Sequence, residues 1–413
     1  MASDRGIDPR RMVGTLRSVL RFREVELDPV ARRLTKAVSV ADFRRMAKRR
    51  LPGGIFDYID GAAEGEHTMA ANERAFVETT FRPRVLVDVG RIDTTTTVLG
   101  RELPLPLLLA PTGFTRIADP EGELAVARAA ARAGLPYALS TLGTRSIEEV
   151  AAVSDGPKWF QVYVWRDRAL VQQMIERAAA AGYEALILTV DNAVFGRRER
   201  DHRRGFELPP KIGLDTLVDG ALHPGWTWSF VRSDPIRFAN VAGEDVGDGS
   251  TAVKLSDYIN RQFDPTVSWT DLGWLRSVWS GPIVLKGIQS VEDAVLAADH
   301  GIDGIILSNH GGRQLDGAPA TLDLLPAVAD AVGDRIVVLL DGGVRRGSDV
   351  VKAVALGARA VLIGRAYLYA LGAAGERGVD QLLAMFDADV RRSMALLGVT
   401  AVADLDRSAV NPR

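Results

Sequence analysis

Eight short apolar runs, each free of polar alternation and most followed by a helix-like segment, constrain this 413-residue chain more than any other feature. The runs fall at 105–110, 137–140, 159–164, 185–190, 282–286, 304–308, 336–341 and 360–364, with helix signals at 121–133, 147–152, 169–181, 291–300 and 349–356. A strand with one face in water alternates apolar and polar residues, whereas a strand covered on both faces reads as continuous. Eight such units predict an α/β protein with a buried parallel sheet, and a closed (β/α)8 TIM barrel fits best. A doubly wound open sheet would want a Gly-x-Gly-x-x-Gly turn after its first strand, and none stands there.

Three segments fall outside that rhythm. Residues 1–37 read as a basic N-terminal extension with helical character, since positions 1–50 hold fourteen Arg and Lys against six acids. Residues 38–406 read as the barrel domain and 407–413 as a C-terminal tail. Within the barrel, 191–268 is a long insertion after the fourth strand, carrying Trp226, Trp228, Phe230 and Phe238 beside Arg232 and Arg237. Loops of that length are usually functional, so it reads first as an active-site lid, then as an amphipathic membrane contact, then as a packed excursion.

Composition removes several classes of function. With no cysteine there is no disulfide, no thiolate metal site and no cysteine nucleophile, and no metal ligand set is expected. A net charge of −2 gives no reason to expect a nucleic-acid partner. No signal-peptide core and no apolar run of about 18 residues is present, so the expected location is cytoplasmic, with peripheral contact at the inner face of the cell membrane left open by the basic arm and the Trp-rich insertion.

In a barrel the chemistry sits at the C-terminal ends of the strands, and there the polar residues collect. Gln161 and Tyr163 close the third run, Thr189 and Asp191 the fourth, Lys286 the fifth and Ser308 to Arg313 the sixth. Asp341, Gly342 and Gly343 follow the seventh, and Gly364 and Arg365 the eighth. The last two loops, with Arg345, have the glycines and forked donors of a phosphate site. His310, one of five histidines, stands three residues before Arg313 in a Gly-rich turn, so a base and a carboxylate anchor could share it; a structural histidine is the alternative. Lys286 suits either an aldolase Schiff base or a fixed ammonium beside a cofactor. Arg197 and Arg198 follow the fourth run, where one could meet a substrate carboxylate.

From about Val38 to Asp406 the chain resembles the FMN-dependent L-2-hydroxy acid dehydrogenases and oxidases, through "FDYIDGAAE", "LAPTGF", "FQVYVWRDR", "LTVDNAVFGRRERD", "IVLKGI", "SNHGGRQLD", "LLDGGVRRGSDVVKAVALGA" and "IGRAYLY" in order. That family includes glycolate oxidase, quinone-linked L-lactate dehydrogenase and mandelate dehydrogenase. The resemblance implies FMN as cofactor and His310 as base, supported by Asp191. It implies Tyr58, Arg198 and Arg313 on the substrate carboxylate and Tyr163 on its hydroxyl. Around FMN it implies Ala110, Pro111, Thr112, Ser140, Gln161, Thr189, Lys286 and Ser308, with Asp341, Gly342, Gly343, Arg345, Gly364 and Arg365 toward the phosphate.

The reaction so implied is oxidation of an L-2-hydroxy acid, L-lactate first and mandelate-like acids second, with quinone, oxygen or another acceptor taking the electrons. A homotetramer is implied as well, and a peptide-modifying flavoenzyme of the same family is the remaining variant. Two departures bear on specificity. Leu142 stands where glycolate oxidase has tryptophan, which implies a differently shaped side-chain pocket, and Gly113 replaces the alanine of many oxidases, which leans toward a dehydrogenase.

Overall fold

The computed structural model describes residues 26–203, 213–241 and 261–412, together with 16 and 18. The chain divides into two units, 1–36 and 37–413. In the first, helix Pro29–Leu34 starts at Asp28, whose side chain accepts the Val30 N–H. The second contains the barrel.

Eight parallel strands close on themselves: β1 (Leu107–Leu109), β2 (Tyr137–Ser140), β3 (Lys158–Val162), β4 (Ala185–Thr189), β5 (Ile283–Ile288), β6 (Gly304–Leu307), β7 (Val337–Leu340) and β8 (Ala360–Ile363). The ring closes where β8 pairs with β1, Leu362 opposite Leu108. The barrel expected from the continuous apolar runs is therefore the fold, and almost every strand residue is buried. Leu108, Ala138, Trp159, Ile187, Val284, Ile306, Leu339 and Leu362 fill the interior, and Val98 and Leu103 from the hairpin Thr96–Val98/Arg101–Leu103 plug its N-terminal end. The floor is thus filled with hydrocarbon, and among the described residues the barrel interior opens at the opposite rim.

Three helices ahead of the barrel, Val40–Arg50, Gly53–Asp60 and His67–Glu78, wrap toward that rim. Their junction is ionic: buried Asp60 receives Arg44 through Nε at 2.5 Å and Nη2 at 2.7 Å, Arg200 through Nη1 at 2.8 Å and the Tyr369 hydroxyl at 2.7 Å. Burial pushes its carboxyl up, but these donors outweigh burial and hold it at about 2. One carboxylate thereby joins the segment carrying Tyr58 to the segment following Arg198. The C-terminal residues are also fixed, since Val410–Asn411 pairs with Thr80–Phe81 and Arg407 reaches Asp330.

The described part of the insertion is docked rather than free. Asp219 accepts the Gly53 N–H at 2.6 Å, and the Trp226 indole donates to the Ile117 carbonyl at 2.8 Å. Buried Arg116 donates to the carbonyls of Asp234 and Pro235, and Asn240 Oδ1 accepts the Ile147 N–H at 2.9 Å. Phe238 stacks on Phe114 with ring centroids 5.6 Å apart. Of the aromatics singled out from the sequence, Trp226 and Phe238 are buried, whereas Trp228 is 63% exposed.

Candidate active site

The polar residues at the strand ends line one cavity of about 910 Å³ over the barrel mouth, at the upper end of the range for small-molecule sites. The walls include Tyr58, Ala110, Pro111, Thr112, Ser140, Gln161, Tyr163, Thr189, Arg198, Lys286, His310, Arg313, Asp341, Gly342, Gly343, Arg345, Gly364 and Arg365. Two expected residues stand behind the wall instead. Asp191 supports His310 and Ser308 supports Lys286.

Asp191 presents both carboxylate oxygens to His310 Nδ1, at 3.1 and 3.2 Å, so Nδ1 carries the proton and the other ring nitrogen is left as a base. Room for this carboxylate comes from a bulge in β5 between Lys286 and Ile288, where Gly287 lies at φ 110° and a Cβ would come 2.7 Å from Asp191 Cβ. Burial pushes the His310 pKa down, with Lys286 and Arg198 adding to it, and Asp191 only partly offsets this. The Asp191 carboxyl is pushed up by burial but held below its ordinary range by His310 and Lys286. The resting pair is therefore a neutral imidazole beside a carboxylate, the form a proton acceptor requires.

Lys286 Nζ donates to Ser308 Oγ at 2.9 Å and sits 3.2 Å from Asp341 Oδ2. Committed to a carboxylate and a hydroxyl, it suits a fixed positive charge better than an amine nucleophile, which weighs against the aldolase alternative. Ser308 Oγ also accepts the His310 N–H at 3.1 Å, so one hydroxyl holds the lysine and the backbone of the histidine.

The arginines divide. Arg198 lines the cavity with a buried Nε that has no partner. Arg313 Nη1 donates to the carbonyls of Tyr58 and Gly61, each at 2.8 Å, and its guanidinium lies 5.2 Å from the Tyr58 ring centroid. Burial and then the charge of Arg198 pull its pKa down, so an anion between the two would relieve both. Arg365 donates to the carbonyls of Ile59, Gly61 and Gly311, and Arg345 to Glu73 and the Val344 carbonyl, so each keeps N–H groups beyond these bonds. The glycines of the seventh loop also have a packing cause: a Cβ on Gly343, at φ 89°, would lie 2.6 Å from the Asn72 carbonyl.

Several wall residues were not singled out by sequence reasoning: Asn192, Phe195, Asp201 and His202, whereas Phe238 of the insertion was named there and does reach the wall. Asp201 follows the "GRRER" run, and a carboxylate so close to two arginines was a usable signal. Phe195 gave none, because an irregular loop has no periodicity from which to read its inward face.

A family described as FMN-dependent dehydrogenase matches residues 47–412. The chain belongs to that family. An L-lactate dehydrogenase of Caulobacter vibrioides is 48% identical over 376 residues, covering 91% of this chain and 98% of its own. An L-lactate oxidase of Nostoc sp. is 43% identical over 379 residues, covering 91% and 98%. Among solved structures, the monotopic membrane protein (S)-mandelate dehydrogenase superposes with a TM-score of 0.88 at 41% identity, over 92% of this chain and 100% of that one. A mandelate oxidase does so with a TM-score of 0.78 at 40% identity, over 92% and 99%.

The cavity fits the cofactor on which this FMN-dependent family relies. Gln161 Nε2 and Asp341 Oδ1 are both buried without a partner, and buried polar atoms are rarely left so in the functional protein. A donor and an acceptor are thus unsatisfied beside the Lys286 cation in one cavity, as the polar edge and ribityl hydroxyls of a flavin would require.

Proposed function

We propose that this enzyme oxidises L-lactate to the 2-oxo acid and passes the electrons to a quinone. The observation that carries the reading is the His310–Asp191 pair opening onto the same cavity as Arg198 and Arg313. Two cations for a carboxylate and one base for the adjacent carbon or its hydroxyl are what oxidation of a 2-hydroxy acid requires. FMN, when bound, supplies the two-electron acceptor. Gln161, Ser140, Thr189, Lys286 and Asp341 would hold its ring and ribityl chain, and Gly342, Gly343, Gly364, Arg345 and Arg365 its phosphate.

Arg198 and Arg313 fix the carboxylate, with Tyr58 beside it. The Tyr163 hydroxyl, its pKa raised by burial and then by Asp191, stays protonated and donates to the substrate oxygen. His310 takes a proton through the nitrogen not bonded to Asp191, and Asp191 stabilises the imidazolium that forms. Relatives at 43–48% identity named for L-lactate favour that substrate. Leu142, Phe195 and Phe238 in the wall, and the mandelate enzymes among the solved structures, make aromatic 2-hydroxy acids the second reading.

The quinone and membrane parts of the proposal rest on one surface. Leu217, Val218, Leu222, Trp228 and Val231 on the insertion helices Leu214–Leu222 and Pro224–Val231 are 60–73% exposed, and Arg232 lies 4.4 Å over Trp228. Apolar side chains with an arginine beside tryptophan suit a bilayer interface, where a quinone resides. No helix among the described residues is long and apolar enough to span a bilayer. Gly113 packs against Leu142 so closely that an added Cβ would come within 2.9 Å of its Cβ, so an oxidase-like alanine would reshape this wall. The test is anaerobic bleaching of the flavin by a panel of L-2-hydroxy acids, then reoxidation by quinone or oxygen in the presence of anionic vesicles. Faster reoxidation by oxygen than by quinone refutes the acceptor, and failure to cosediment refutes the membrane contact.

A further inference from the structure

The turn bearing His310 passes through three consecutive left-handed residues, His310 at φ 58°, Gly311 at 63° and Gly312 at 77°. Glycine takes this conformation freely, but a residue with a Cβ is strained there and keeps it only where its surroundings over-determine it. Part of what does so lies outside the barrel, on the helix His67–Glu78. Asn72 Nδ2 donates to Asn309 Oδ1 at 2.8 Å, and Asn309 Nδ2 donates back to Asn72 Oδ1 at 2.8 Å. Each amide oxygen also accepts a backbone N–H, that of Gly312 at 3.1 Å for Asn309 and that of Thr321 at 3.3 Å for Asn72, which fixes both amide orientations.

Asn72 and Asn309 are 2% and 1% exposed, so water does not compete for these bonds and a widowed partner is left unsatisfied. The same helix is fastened to the far end of the loop, where Asp316 accepts the N–H groups of His67 and Thr68 at 3.2 and 2.7 Å. Gly312 packs so tightly that a Cβ there would lie 2.7 Å from Met69 N. Thr321, bonded to Asn72, donates its hydroxyl to the Asp341 carbonyl at 2.6 Å, so the helix also braces the seventh loop.

We propose that Asn72 is a positioning residue for the proton acceptor. It does not line the cavity; it acts through Asn309 on the backbone that carries His310 and keeps the imidazole against Asp191. This deepens, and rests on, the reading of His310 as the base.

The test uses the FMN-loaded full chain with Asn72→Leu, close in size but without hydrogen bonds, and Asn72→Ala, which leaves room for water should the first fail to fold. With L-lactate, kcat falls tenfold to a hundredfold, on the order expected for a misplaced reacting group, while KM stays within about threefold. The titration midpoint of His310, followed by NMR of labelled histidines and assigned by its loss in His310→Gln, moves by at least about half a unit. A folded, FMN-bound variant with kcat within about twofold of the parent and an unmoved midpoint overturns the proposal, because a role in stability alone lowers Tm and moves neither. If the parent enzyme oxidises no L-2-hydroxy acid, the functional reading fails on its own account and the imidazole titration still decides for Asn72.

Discussion

Asp191→Asn keeps the shape of the side chain that faces His310 and removes only its charge. The carboxylate oxygens lie 3.1 and 3.2 Å from Nδ1, and the group is buried. Unit charges about 4 Å apart at an effective dielectric of about 20 attract by about 4 kcal/mol, equivalent to about three pKa units and about 10³ in rate. That attraction exists only once the imidazole has accepted a proton, so its loss falls on the transition state. An asparagine can also turn its amide N–H toward Nδ1, selecting the tautomer whose other nitrogen is already protonated.

The expected outcome is a drop in plateau kcat/KM of about 10³-fold or more, with FMN retained. The sign of the pH effect follows from the causes: burial lowers the His310 pKa and Asp191 raises it, so removing the charge lowers it further and the acid limb of kcat/KM moves to lower pH. The assay is stopped-flow flavin reduction under anaerobic conditions across about pH 5–9. A plateau within about tenfold of the parent, or an acid limb displaced upward, would refute the assignment.

His310→Gln is expected to bind FMN normally and lose turnover by about 10³-fold or more, seen as a coloured but unreactive preparation. In the parent enzyme, the acid limb of kcat/KM has its midpoint below the 6.5 of an ordinary histidine, because burial dominates its environment; a midpoint above that value contradicts the neutral resting pair. Arg198→Lys replaces a forked donor by a point charge and lowers kcat/KM about tenfold to a hundredfold, while the urea midpoint barely moves. Gly343→Ala meets both a positive φ of 89° and the Asn72 carbonyl at 2.6 Å, and costs about 2–5 kcal/mol in chemical denaturation. Phe238→Leu opens the wall contributed by the insertion and raises the mandelate-to-lactate ratio of kcat/KM about tenfold; an unchanged ratio removes Phe238 from the specificity pocket.

What the sequence made legible followed from local physics. The strands announced themselves because two-sided burial erases alternation, and the rim residues because polar side chains directly after such runs have only the barrel mouth to occupy. The turn from Ser308 to Asp316 was legible as a site but not as a mechanism of support. Its Asn309 finds its partner 237 positions away in Asn72, and Asp316 finds His67 and Thr68, pairings that no periodicity encodes. Gly287 sits in the bulge of β5 beside Asp191, a contact that no local pattern encodes. The glycines of the seventh loop are required by packing as well, and Arg365, while lining the cavity, also donates to the carbonyls of Ile59, Gly61 and Gly311. In the insertion, tryptophans of similar sequence context part company, Trp226 anchored to Ile117 and Trp228 exposed, because tertiary docking decides which face is covered.

In the proposed enzyme one cavity holds FMN and a carboxylate-anchored substrate facing His310, and anaerobic mixing of the holoenzyme with L-lactate probes that arrangement. The oxidised flavin absorption band is expected to disappear with stoichiometric 2-oxo acid, to persist with D-lactate and to bleach about 10³-fold more slowly in His310→Gln. A band that no L-2-hydroxy acid bleaches, or that His310→Gln bleaches as fast as the parent, contradicts it.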